Sequence, residues 1–169
     1  MEASKFLLIA MTLTICAAIF QLIGLASPYW TFIDGNSINV NSGLWKTCTQ
    51  TVSTGDTVCT DIEITDDDWL KAVRAMSILG FLVLMVAAIM AVLKLFVLKD
   101  KQPVLFVAIG TAFAGAVFIL ISIAVYAAKT KDFYGNVDYN YHFAFAFSII
   151  GMIVAIGAGG VMLVDIMKG

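Results

Sequence analysis

Four stretches of this chain carry almost no ionisable side chain, and polar segments of very unequal length separate them. Phe6 to Ala26 holds none except Cys16. Ala75 to Leu93 is clear, Val104 to Ala128 is clear apart from Tyr126, and Phe143 to Val164 has no acid or base. Each run approaches or exceeds the ~18–20 residues that cross a hydrocarbon core of roughly 30 Å. Lipid offers no hydrogen bonds, so only a helix satisfies its own backbone over such a run. The pattern predicts four transmembrane helices, over about 6–26, 70–93, 104–128 and 143–164. A cleaved signal peptide is the other reading of the first, with Lys5 as a weak basic flank. That run is longer than the ~7–15 apolar residues of a signal sequence and continues into Ser27-Pro28-Tyr29-Trp30, so it is read as a retained helix.

The composition agrees: 61% hydrophobic and 13% charged residues in 169 exclude an ordinary soluble domain. The connections are a first loop of about 43 residues (27–69), a second of about ten (94–103) and a third of fourteen (129–142). An even number of crossings puts both termini and loop 94–103 on one side and the two longer loops on the other. The positive-inside rule does not choose between the sides. Lys5, Lys94, Lys99, Lys101 and Lys168 lie on one, and Lys46, Lys71, Arg74, Lys129 and Lys131 on the other. The cysteines choose. Cys48 and Cys59 share a polar loop with no histidine beside them, and their spacing is not that of a zinc pair. A disulfide is the simplest reading, worth about 3 kcal/mol for a loop of this size. It persists only in an oxidising compartment, so loops 27–69 and 129–142 are expected outside the cell, with loop 94–103 and both termini cytoplasmic. Two free thiols in a cytosolic loop is the alternative. Cys16 has no evident partner.

Within the first loop the residues favour strands and turns. ASPYWTFI is rich in aromatic and β-branched residues, and DGNS is a turn signal. SINVNSGLWKTCTQTV, the turn STGD and the alternating TVCTDIEIT follow. Three or four short strands are expected, stapled by the cysteines and too few to bury a core alone. Thr65 and Asp68 have capping-box spacing, and Asp66, Asp67 and Asp68 suit a helix N-terminus better than a cation site. Trp69 is placed at interfacial depth. Gly110–Ala114 and Ala155–Gly159 have the small-xxx-small spacing that lets membrane helices approach closely, and Gln21 is expected to tie helices together.

Trp30, Gly43-Leu44-Trp45, Cys48 and Cys59 resemble the W-GLW-C-C signature of the claudin superfamily. That superfamily includes the peripheral myelin protein 22 and epithelial membrane protein group and the calcium-channel gamma subunits. Arg74 looks like the arginine at the start of the family's second helix, and DFYGN resembles the claudin DFYNP, with Gly135 and Asn136 departing from Asn-Pro. The claudin-like branch is favoured. The resemblance implies a left-handed four-helix bundle carrying a small extracellular β-sheet, built mainly from the first loop and joined by a strand from the third. It also implies that the GLW segment anchors the sheet on the helix ends. The bundle mouth is the expected burial place of Trp45, whereas Trp30 also suits an interfacial belt.

No catalytic set assembles around the single histidine, His142, and there is no phosphate loop, dinucleotide fingerprint or metal-ligand cluster. No enzyme activity, cofactor, metal or nucleic-acid partner is expected. Two readings of different kind stay open. One is a plasma-membrane protein of cell–cell junctions, polymerising with itself or related claudins and forming a paracellular barrier or pore. Residues 27–69 carry seven acids against Lys46 alone, a net charge of −6. A pore lined by them attracts cations within about a Debye length. Asp61 and Glu63 are the candidate lining, with Asp56, and the resemblance assigns Phe133 and Tyr134 to contact across cells. The other reading is an accessory subunit of a channel or receptor, or a membrane organiser. The closing DIMKG lacks the apolar last residue of a PDZ-binding motif, so no scaffold of that kind is expected to bind the tail as it stands.

Overall fold

The computed structural model describes residues 5–63 and 68–168. Helix α1 (Lys5–Ala26) is followed by four strands, β1 (Thr31–Ile33), β2 (Ile38–Ser42), β3 (Lys46–Thr51) and β4 (Thr57–Asp61). Then come α2 (Asp68–Phe96), α3 (Gln102–Tyr134), strand β5 (Asn140–Tyr141) and α4 (Phe143–Lys168). All four helices are long and apolar enough to cross a membrane. They run beyond the charge-free segments because a charge does not end a helix. A missing side chain or a proline does so more readily. Helix α3 therefore continues past Lys129, with a Lys129–Asp132 pair at 3.8 Å on its last turns. It stops at Gly135, whose φ of +54° suits glycine and whose N–H reaches Lys131 O. Its 33 residues span about 50 Å, well over a bilayer core. Phe133 and Tyr134, expected in a loop, are thus the last residues of a projecting helix. Pro103 falls in the first turn of α3, where its lost N–H costs nothing.

The strands form one antiparallel sheet in the order β4-β3-β2-β1-β5. The third loop supplies β5, which pairs Tyr141 with Thr31 across the edge of β1. Cys48 and Cys59 lie directly opposite each other on β3 and β4 and are joined as a disulfide. The expected capping box and acid cluster fall largely on Thr65, Asp66 and Asp67, which lie outside the described residues. Asp68 opens α2 and pairs with Lys71 at 2.9 Å.

Helix α2 packs most extensively on α3, and α1 on α4. Small residues set the closeness. A Cβ on Gly80 would sit 2.7 Å from Ile119 Cγ1, and one on Gly115 would sit 2.9 Å from Leu84. On the other pair, a Cβ on Gly24 would collide with Ser148 Oγ. The expectation for Gly110 is corrected here: it faces open space, and so does Gly157. Ala155, Ala158 and Gly159 are buried, the last against the Phe113 ring. Spacing alone does not reveal which side of a helix meets a neighbour. Gln21 is wholly buried and donates to Ser77 O at 3.4 Å, while Ser77 Oγ lies 2.6 Å from Ser122 Oγ. Those links tie α1, α2 and α3 through polar groups that have no water to turn to.

Candidate functional site

The sheet stands on the bundle through the segment between α1 and β3. Helix α1 ends with carbonyls that have no partner further along the helix. Two indoles supply partners: Trp30 Nε1 donates to Gly24 O at 2.6 Å, and Trp45 Nε1 donates to Leu25 O at 2.8 Å. Trp30 is fully buried, edge-on to Tyr126 at 4.7 Å and to Phe145 at 5.6 Å. Its backbone also holds both sides of the sheet, its N–H on Ser42 O and its C=O accepting from His142 N.

Each residue of Gly43-Leu44-Trp45 has a distinct physical reason. Gly43 passes so close to Ser27 and Pro28 that a Cβ would collide with their backbone. Leu44 has no exposed surface and plugs the core under the sheet. Trp45 lies across the outside, 38% exposed. This corrects the placement of Trp45 in the bundle mouth: Leu44 and Trp30 occupy it. Trp45 gains its contact from Arg74, whose guanidinium carbon is 4.7 Å from the ring centre.

Arg74 closes the joint. Its Nε donates to Leu44 O at 2.6 Å and its Nη2 to Ile62 O at 3.4 Å. A rigid fork on α2 thus grips both ends of the β3–β4 hairpin. Trp45 O in turn accepts from Ile62 N at 2.8 Å. His142 caps the fourth helix, its Nδ1 accepting the Phe143 N–H at 2.9 Å.

The candidate acids do not form one group. Lys46 and Asp61 are register partners on the face that carries the disulfide, with Nζ 3.6 Å from Oδ1. Glu63 follows β4 and is exposed, and no ion pair involves it among the described residues. Asp56 lies in the turn between β3 and β4, at the far end of a five-residue strand. That separates it from Asp61 by about 17 Å along the strand. Asp61 and Glu63 are therefore neighbours, and Asp56 is apart.

Phe133 is 64% exposed and lies 6.5 Å from the Trp69 ring and 5.2 Å from Tyr134. Aromatic contacts continue from Tyr134 to Tyr139, from Tyr139 to Tyr141 and from Tyr141 to Phe145. Partial burial, with Tyr139 beside it, pushes the Tyr141 phenol up to about 12, so this ring is neutral at physiological pH.

Sequence reasoning missed Tyr126, Thr31 and Phe145, which complete the pocket around Trp30. One signal for Tyr126 was present. It is the lone phenol in its apolar run, and a buried phenol needs a partner, here Thr31 Oγ1 at 3.3 Å.

The family model described as PMP-22/EMP/MP20/Claudin matches residues 4–163. A search of curated proteins returned no match. With that match over nearly the whole length, and with four apolar helices beneath a disulfide-bonded sheet, the chain is a multi-pass membrane protein and belongs to the PMP-22/EMP/MP20/Claudin family.

Proposed function

We propose that this protein is a claudin-like adhesion protein of the plasma membrane, with its sheet outside the cell and both termini in the cytoplasm. It polymerises side by side and meets copies across the intercellular space, where its acidic surface favours cations. One observation carries the reading: a sheet stapled by Cys48–Cys59 and gripped by Arg74 ends in a free edge. All of β4 is exposed, and among the described residues its outer side has no partner strand. Such an edge offers unpaired backbone groups to a neighbouring chain. The disulfide supports the outward orientation, since a reducing cytosol does not maintain one. The net charge of −6 over residues 27–69 gives the first loop an acidic field, with Asp34, Asp56, Asp61 and Glu63 the acids in or beside the sheet. Screening confines that field to about 8 Å at physiological ionic strength, so it acts only on ions passing close to the sheet. Phe133 and Tyr134 project at the end of α3, where contact across cells is expected.

The test is expression in cells that lack junction strands, imaged by freeze-fracture. Continuous strands are expected. Scattered particles, or co-purification of a channel subunit in fixed ratio, would count against polymerisation and favour an accessory role.

A further inference from the structure

His142, the chain's single histidine, joins the third loop to both the sheet and the bundle. Its N–H donates to Trp30 O at 2.9 Å, and the Ala144 N–H donates to Tyr29 O at 3.1 Å. With the β5–β1 pairing, these bonds tie the start of α4 to the segment that leads into β1. His142 O accepts from Ala146 N at 3.3 Å, which makes His142 the N-cap of α4. Its side chain completes the cap: Nδ1 accepts the Phe143 N–H at 2.9 Å. The first turn of α4 holds no acidic residue, so the imidazole lone pair is the side-chain acceptor at this positive helix end. Strand β5 has little else to hold it to β1. It is two residues long and exposed, and Tyr141 stacks at 4.3 Å on Phe145 of α4 rather than on β1.

Protonation removes that lone pair, since both ring nitrogens of the imidazolium are donors. Histidine is also the side chain that ordinarily changes charge between pH 5 and 8. His142 is half-buried, so solvent protons reach it. The added charge opposes the helix dipole as well. What faces the ring does not compensate. Tyr29 of the α1–β1 connection lies 5.3 Å away, Phe32 of β1 6.1 Å and Phe143 of α4 4.9 Å. Their attraction for a cation offsets part of the cost of the charge but supplies no acceptor for the Phe143 N–H. No carboxylate or cation pairs with the imidazole among the described residues. On α3, Lys129 and Asp132 pair with each other and Lys131 is exposed, and α1 carries no charged side chain from Phe6 to Ala26. Tyr141 of β5 is neutral, its phenol pushed up to about 12 by partial burial. Asp34 and Asp138 each lie four residues along extended backbone from the Trp30–His142 pair, about 13 Å away and beyond a physiological Debye length of ~8 Å.

We infer that His142 is a pH-sensitive latch. Neutral, it closes the cap and holds the third loop to β1. Protonated, it opens the cap and releases β5 and the first turn of α4, while β2, β3 and β4 stay held by Arg74 and the disulfide. The hold is complete above the range in which the imidazole titrates and is lost as pH falls through it. Adhesion, polymerisation and membrane orientation play no part in it.

The full chain in phosphatidylcholine nanodiscs is followed by amide hydrogen exchange at pH 7.5 and pH 5.0, with rates corrected for intrinsic exchange. Nuclear magnetic resonance of a histidine-labelled sample reads the charge of the imidazole in parallel. At pH 5.0 the His142 and Ala144 amides are expected to lose about tenfold in protection, the worth of one helix cap, while those of β3 keep theirs. The midpoint of the loss should coincide with the titration of the imidazole. His142→Asn keeps a capping acceptor that does not titrate, so protection should stay high at both pH values. His142→Ala should leave it low at both. A loss in His142→Asn equal to that of the wild type would overturn the inference and assign the effect to another group, Asp34 or Asp138 first. So would an unchanged wild type once the imidazole is charged, a loss shared equally by β3, or an imidazole still neutral at pH 5.0.

Discussion

At the scale of single residues, the anchoring of the sheet rests on groups that satisfy backbone carbonyls. Arg74 contributes hydrogen bonds to two carbonyls and stacks on Trp45, so its loss strikes three contacts at once. Arg74→Gln is expected to destabilise by roughly 2 kcal/mol, allowing for the partial exposure of the group. Arg74→Lys should fall between, because it keeps the charge but cannot fork. Denaturant unfolding followed through tryptophan fluorescence measures both. If Arg74→Gln unfolds with the wild-type midpoint, the grip on the hairpin is not what holds the sheet. Trp30 isolates a different term. Trp30→Phe keeps most of the ring and loses the bond to Gly24 O, at about 1–3 kcal/mol. Trp30→Ala empties a fully buried site, at about 3–5 kcal/mol. The ordering Ala worse than Phe, read by thermal unfolding, checks the assignment.

At the scale of elements, β4 depends on its staple. Every residue of β4 is exposed, so packing gives it little hold. Cys48→Ser with Cys59→Ser is expected to lower stability by about 3 kcal/mol and to free β4 first. Hydrogen exchange reads this directly: amides of β3 and β4 that pair across the hairpin should lose protection before those of β1 and β2. Uniform loss across the sheet would mean that the disulfide supports the whole platform instead. The helices carry a paired test. Gly115→Leu forces α2 and α3 apart at Leu84, and a loss of more than about 2 kcal/mol is expected. Gly110→Ala meets nothing and should be neutral or slightly stabilising through helix propensity. Equal effects at both positions, measured by thermal unfolding in detergent, would contradict the observed helix faces.

At the scale of the whole molecule, charge and surface act together. Asp61 and Glu63 sit at one corner of the sheet, whereas Asp56 is about 17 Å away along β4, beyond a physiological Debye length. In monolayers expressing the protein, Asp61→Asn with Glu63→Gln is expected to reduce cation preference in dilution potentials, and Asp56→Asn to change it much less. Lys46 partly neutralises Asp61, so Lys46→Gln should raise cation preference. An unchanged selectivity in the double variant would remove these two acids from any ion path.

The number of helices, the existence of a stapled sheet and the family were legible in the sequence because each rests on a local signal. Twenty apolar residues admit one backbone solution in lipid, and two cysteines in a polar loop with GLW beside them leave few readings. Helix ends were less legible, as Lys129 to Tyr134 illustrate, since the stop lies in the conformation of Gly135 and not in the first charge. What only the tertiary structure decided is which side each residue faces. The sequence pointed to Trp45 rather than Trp30 for the bundle mouth, and to Gly110 for the close helix approach that Gly115 makes. Burial of Trp30 needs Tyr126 and Phe145, which arrive from helices about a hundred residues further along the chain. The physical reason is that hydrophobic runs fix whether a segment is buried in lipid, while close packing between segments depends on partners that no local pattern names.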